Sequence, residues 1–383
     1  MGEEGLTMKS PIFLREGEYN QAELKKFQKD HRVWKVRDIY EQELSELFEI
    51  RHPDLLLSDS YDIELGQFIK DKTQPNSELR GNWVYFPWSG IFLHIVIEED
   101  YNLLRTNRNR NLITLEEQSK LNNLTIGVVG LSVGGSMAVT LANNGIGRSM
   151  KLADYDTLTT TNLNRIRARS DQIGTPKINI VSQQIYEINP YAQLFLFEDG
   201  LKSDTLENFC SNKQKPDVIF EAIDDFEMKV RIRLLAKKLR IPIIMLTNLG
   251  DSVLVDVERH DTEDVQPFNG LLGDLPEQIL NNPIGEKEKI KYAMQIVGID
   301  HIPTKALESL LEINKSLVGR PQLASTVAIG GGLAAYLCRQ LVLANLPSGR
   351  QILPLDIVFN RVIKDDTNRR DQVITMLKNK TKN

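Results

Sequence analysis

The stretch Ile126-Gly-Val-Val-Gly-Leu-Ser-Val-Gly-Gly135 constrains this chain more than any other, because it reads as a buried strand running through a glycine-rich turn into a helix. Glycines let backbone N–H groups close on an anion, and a helix N-terminus adds partial positive charge that suits phosphate. An acidic pair, Asp154 and Asp156, begins 24 residues after Gly130. At the tip of the next strand such a carboxylate can accept hydrogen bonds from ribose hydroxyls. Together these features point to a nucleotide, with Gly130, Ser132, Gly134, Gly135, Asp154 and Asp156 as candidate binding residues. The turn alone does not choose which nucleotide, since Ser132 takes the place of the middle glycine and similar patterns occur in structural turns.

From this motif onward strand and helix patterns alternate. Strands are expected at 126–129, 149–153, 193–197, 218–222 and 242–246, and helices at 133–143, 176–188, 201–210 and 227–239. Short connections between them imply an α/β fold, a Rossmann-like doubly wound and mostly parallel sheet covered on both faces. A further strand is expected at 253–257, then an excursion rich in Asp, Pro, Asn and Gly over 261–283. The apolar run 327–342 contains Gly330-Gly-Gly332, but no strand or ribose acid stands beside it. Close helix packing is the better reading of those glycines than a second phosphate loop.

Residues 1–100 read as an N-terminal α+β accessory region, with a helix over 38–50 and two strands within 83–97. The aromatic residues of those strands are expected to pack a core. The nucleotide-binding domain is assigned 101–365, and 366–383 is expected to be a polar, solvated tail. A chain of 383 residues holds about two such domains. At 41% hydrophobic and 26% charged, with a formal net charge of −5, it argues for a soluble globular protein and against a general nucleic-acid-binding role. No uninterrupted apolar run approaches the roughly 20 residues that span a bilayer, and no secretion signal is evident, so no membrane association and a cytoplasmic location are expected. Cys210 and Cys338 are too few for a disulfide framework or a four-thiolate zinc site, and zinc is not expected.

Beyond the acidic pair lie Asn162, Arg165 and Lys177, then Glu221-Ala-Ile-Asp-Asp225. Cations beyond the ribose acid suit a triphosphate better than a neutral nicotinamide, and an acid at the third strand end suits Mg²⁺. The order Asp154-Tyr-Asp156, Asn162-Leu-Asn-Arg165, Gly174-Thr-Pro-Lys177 and Ile188-Asn-Pro190 resembles the adenylyltransferase domain of the ubiquitin-activating superfamily, ThiF/MoeB/HesA-type. The resemblance runs from about Arg105 to Leu249 and implies ATP and Mg²⁺ as cofactors. It implies that Asp154 binds ribose, that Asn162, Arg165 and Lys177 handle phosphates, and that Asp224 holds the metal. It further implies a homodimer in which an arginine of the leading segment, Arg108 before Arg105 or Arg110, acts in trans. Two departures stand out: Ser132 replaces a glycine, and no cysteine lies in the loop after Leu246 where thioester-forming members carry one. The N-terminal region resembles a bacterial branch linked to nitroreductase-like domains, which implies a separate nitroreductase-like partner.

The expected activity is ATP- and Mg²⁺-dependent adenylation of a carboxylate, with Arg108, Arg165, Lys177 and Asp224 as catalytic candidates and pyrophosphate as leaving group. The carboxylate belongs to a small carrier protein, a peptide or a metabolite. The alternatives are a NAD-dependent oxidoreductase, for which no catalytic His or Tyr pair is evident, and a non-catalytic dimeric scaffold, which only Ser132 favours.

Overall fold

The computed structural model describes residues 10–211, 214–281, 284–299, 302–355 and 367–382. The chain forms two compact units, one built from residues up to Lys120 together with Ser182–Ala192, the other from Leu121–Val181 and the remainder. In the first, strands β1 (Ile12–Leu14), β2 (Lys35–Asp38), β3 (Asn82–Phe86) and β4 (Ile91–Ile95) form a sheet in the order β1-β3-β4-β2. The expected strands around the Pro/Ser/Gly turn are β3 and β4, paired antiparallel with Val84 opposite Leu93. Their aromatics are core: Trp83, Tyr85, Phe86 and Phe92 are buried, and Trp83 stacks on Phe92 at 4.7 Å and on His94 at 4.3 Å. The helix expected at 38–50 is Tyr40–Arg51, which turns Tyr40, Leu44, Leu47 and Phe48 inward. Helical spacing places those four on one face.

The second unit holds seven strands, β5 (Thr125–Val129), β6 (Ser149–Ala153), β7 (Gln193–Phe197), β8 (Val218–Glu221), β9 (Ile243–Leu249), β10 (Ser252–Glu258) and β11 (Gly349–Pro354). Their spatial order is β11-β10-β9-β8-β5-β6-β7. The five strands β9-β8-β5-β6-β7 are mutually parallel, as near-continuous apolar runs such as Thr125–Val129 require, and β10 and β11 add an antiparallel edge. The strand order reverses between β5 and β8, and open sheets of this kind bind ligands at such a switch point.

Two expectations need correction. Within the expected solvated tail 366–383, Thr367–Lys382 is instead a helix whose Val373 and Leu377 are buried in the cluster around Phe226 and Phe268. Four-residue spacing brings both to one face, which composition cannot reveal. Positions 356–366, including the expected domain end at 365, lie outside the described residues, as do 282 and 283. The excursion 261–283 carries the helix Leu275–Asn281 and a fully buried Phe268, so it contributes to the core. Among the described residues, one helix is long and apolar enough to span a bilayer by length and composition alone: Ala324–Leu343, with a mean hydropathy of 1.4. Here its apolar character serves packing. A Cβ on Gly331 would stand 2.7 Å from Ser136 Oγ and 2.9 Å from Thr140 Oγ1, so glycine permits contact with the helix Gly134–Asn143.

Beneath the switch point lies a buried ion network. Glu221 accepts from Lys229 Nζ at 2.6 Å and from Arg233 Nη1 at 2.8 Å, and Arg233 Nε donates to Glu258 at 2.7 Å. Glu221, Arg233 and Glu258 have no solvent exposure, and the guanidinium lies 4.0 Å over the Phe268 ring. Burial pushes the Glu221 and Glu258 carboxyls up, but the adjacent cations outweigh it and hold both below the usual range. A depressed native pKa contributes stability above the unfolded value near 4.3, and that stability is lost as pH falls through the lower native value. Removing the central cation leaves buried Glu221 with Lys229 as its one remaining cation and takes the guanidinium from buried Glu258. Arg233→Met should lower the unfolding free energy by about 3–5 kcal/mol at neutral pH, read from urea midpoints, whereas a loss under about 1 kcal/mol would show the network to be dispensable.

Candidate nucleotide site

At the end of β5 the chain turns sharply through Gly130, whose φ of +82° belongs to the left-handed region. A Cβ there would lie 2.6 Å from the Ala222 carbonyl oxygen at the end of β8, so only glycine fits. The helix begins at Gly134, with Gly134 against Val128 and Gly135 against Val181. Ser132, which departs from the glycine pattern, has a buried Oγ without a hydrogen-bond partner among the described residues. Such a hydroxyl at a helix N-terminus fits a phosphate oxygen.

Asp154, at the end of β6, is buried and holds the turn in place. One carboxylate oxygen accepts from Leu131 N at 2.5 Å and the other from Asp156 N at 2.8 Å. Burial pushes its carboxyl up, and these amides and Lys177 only partly offset that. Asp156 binds Lys177 twice: its carboxylate faces the Lys177 Nζ at 2.8 Å, and its carbonyl accepts from Lys177 N at 2.9 Å. Lys177 is itself buried at the start of the helix Lys177–Ile188.

Asn162 ends a short 3₁₀ turn, Thr160–Asn162, and its Oδ1 accepts from Thr159 N at 3.2 Å. Arg165 follows, donating through Nη1 to Thr161 O at 3.2 Å and Asn164 Oδ1 at 2.9 Å, while its Nε is buried without a partner among the described residues. Burial draws its pKa below the usual guanidinium range, and the charge of Asp224 acts the other way. Asp224 lies beyond β8 with its side chain 84% exposed, only three residues after the fully buried Glu221. It pairs with Arg320, which sequence reasoning missed. No local pattern singles out Arg320, which lies between Gly319 and Pro321 far along the chain. Asp225 instead caps the helix Phe226–Leu239, accepting from Met228 N at 2.7 Å.

Asp154, Asp156, Asn162, Arg165, Lys177, Asp224 and the glycine turn all belong to the second unit. Arg105, Arg108 and Arg110 belong to the first, where Arg105 Nε donates to Asn102 at 3.0 Å and Arg108 is exposed on the turn Asn107–Asn109. The orphaned Ser132 hydroxyl and Arg165 Nε fit ATP phosphates. One exposed carboxylate, Asp224, fits a Mg²⁺ that takes its other oxygens from phosphate and water, since this ion seldom uses an all-protein cage. Cys210 and Cys338 are fully buried, and burial pushes both thiols up to about 12. Lys151 pulls on Cys210 the other way without reversing the shift.

The geometry yields two expectations. An asparagine at 154 has one acceptor oxygen where the carboxylate has two, so Asp154→Asn orphans one of the two backbone amides. It should cost about 1–3 kcal/mol in urea unfolding, and an unchanged midpoint would show that the two amides do not depend on the carboxylate. Thiols held near 12 contain almost no thiolate at pH 8. Iodoacetamide should therefore leave both cysteines unmodified in the native chain while alkylating both in urea, as mass spectrometry would read. Rapid native labelling would contradict that picture.

With this geometry in place, the sequence model of the ThiF family matches residues 106–349. The chain is 33% identical over 315 residues to an uncharacterized protein of Mycobacterium tuberculosis, MT1398, covering 81% of this chain and 43% of that protein. It is 28% identical over 198 residues to the tRNA threonylcarbamoyladenosine dehydratase of Bacillus subtilis, covering 51% of this chain and 74% of the relative. It is 28% identical over 140 residues to the sulfur carrier protein ThiS adenylyltransferase of Escherichia coli, covering 36% of this chain and 54% of that protein. The chain thus spans less than half the length of the Mycobacterium relative.

Proposed function

The chain belongs to the ThiF family, and from that premise we propose that it adenylates a carboxylate with ATP and Mg²⁺. The observation that carries this reading is the gathering of Arg165, Lys177 and Asp224 in one unit with a glycine turn whose serine hydroxyl is buried and unpartnered. A nicotinamide offers no task for two buried or half-buried cations beyond the ribose acid, and a triphosphate does. The adenylyltransferase named among the relatives supports the same chemistry.

In the proposed reaction an oxygen of the substrate carboxylate attacks the α-phosphorus of ATP, a new P–O bond forms, and the bond to pyrophosphate breaks. Asp154 would accept from the ribose, fixing the sugar above the turn. The turn and Ser132 would donate to phosphate oxygens, and Arg165 would stabilise charge developing on pyrophosphate. Lys177, oriented by Asp156, would turn its ammonium to the phosphates. Asp224 would hold Mg²⁺, which would supply further charge neutralisation. No protein nucleophile is needed, because holding carboxylate and phosphorus in line supplies much of the acceleration. The relative named for adenylating a sulfur carrier protein favours a small carrier protein as the substrate class.

The test is stabilisation by nucleotide combined with pyrophosphate exchange. ATP at about 100 times its dissociation constant should add roughly 2.7 kcal/mol of stability in the presence of Mg²⁺, and NAD should add none. Lys177→Ala and Asp224→Ala should each cut exchange at least about a hundredfold, the scale of a lost transition-state charge contact. Asp224→Ala should leave melting nearly unchanged. Stabilisation by NAD without any response to Mg²⁺ and ATP would overturn the proposal.

A further inference from the structure

The carboxylate assigned to the metal is not free. Asp224 pairs with the guanidinium of Arg320, 96 residues further along the chain. Arg320 stands in the segment between the helices Thr304–Glu312 and Ala324–Leu343. Two residues on, the Gln322 carbonyl accepts from Asn164 Nδ2 at 2.8 Å, and Asn164 Oδ1 accepts from Arg165 Nη1 at 2.9 Å. The segment is thus tied at one point to the turn that carries Arg165 and at a second point to the end of β8. Within the same segment the Gln322 Oε1 is buried without a partner among the described residues. One short stretch therefore contacts Asp224 directly and is linked to Arg165 through Asn164.

A guanidinium stays charged at any pH the fold survives, so it cannot release Asp224 by losing a proton. A divalent cation arriving at Asp224 competes with Arg320 for the carboxylate and can displace it. The displacement is easy, because both partners are solvated (46% and 84% exposed) and solvated pairs are weak. Tethered through Gln322, the released guanidinium stays beside Arg165, where an anionic leaving group needs neutralising. Arginine suits that place because its planar fork can bind two phosphate oxygens at once.

Building on the adenylation reading, we propose that Arg320 is a further phosphate-facing cation of this site, which holds Asp224 while the site is empty and exchanges it for the outer phosphates when Mg²⁺ and ATP bind. The crossing segment is then part of the nucleotide site, and metal loading and phosphate capture become one exchange of partners.

Three binding measurements on the whole chain test this. Without nucleotide, Mn²⁺ followed by electron paramagnetic resonance should bind Arg320→Ala about 2–5-fold more tightly than wild type, the range set by a solvated ion pair. In Mg²⁺, calorimetry should find ATP weakened about 5–10-fold in Arg320→Ala, while AMP, which lacks the outer phosphates, stays within about twofold. Arg320→Lys should recover most of the ATP affinity, because it keeps the charge. If ATP and AMP weaken equally, or neither weakens, Arg320 is a surface pair and the inference falls while adenylation stands. If wild type binds neither nucleotide, the adenylation reading falls and takes the inference with it.

Discussion

The site depends on one buried carboxylate. Asp154 joins two separate stretches of backbone, the turn leaving β5 through Leu131 N and the exit of β6 through Asp156 N. Asp156 in turn holds Lys177 by side chain and carbonyl, so the glycine turn, the second strand end and the next helix are fixed by consecutive contacts. Burial raises the cost of the charge on Asp154, and the two amides are what make that charge tolerable. Each oxygen retains a lone pair after accepting one amide, so a ribose hydroxyl can be added without breaking the staple. The residue that organises the cradle is thus also available to read what lies in it.

The parallel half of the sheet was legible because buried strands and glycine punctuation leave local traces. The pattern Asp154-Tyr-Asp156 to Lys177 reports local geometry, and in the structure Asp154 bonds the turn ending β5 and Asp156 bonds Lys177. Arg320 was not legible, since its proximity to Asp224 is a fact of topology with no periodicity or spacing behind it. The edge strand β11 and the last helix were missed for a related reason. Polar residues dominate Thr367–Lys382, and only Val373 and Leu377 reveal that one face is buried. Nor could a chain of letters show that Asn162 spends its carboxamide on capping Thr159, since a cap and a phosphate ligand draw on the same residue types.

Glu221 and Asp224 show how three positions separate structure from chemistry. The first ends a strand inside the core, where Lys229 and Arg233 neutralise it, and the second projects beyond the strand into solvent. A rigid ionic floor below an exposed acid keeps the acid's backbone fixed while its side chain remains free to exchange partners. The two cysteines occupy the opposite condition, away from solvent, where burial pushes both thiols up to about 12.

The contact between Gly331 and Ser136 reaches across about 200 residues of sequence. On a ribosome, the helix that opens at the glycine turn emerges long before the helix that covers its outer face. Until Ala324–Leu343 has been made, that face stays uncovered, and the nucleotide half can only be provisionally folded. Synthesis would therefore pass through a stage in which the phosphate turn exists without its lid of packing, exposed to misassembly and open to chaperones. The helix Ala324–Leu343 thus sets the moment at which the packing around the glycine-turn helix is complete.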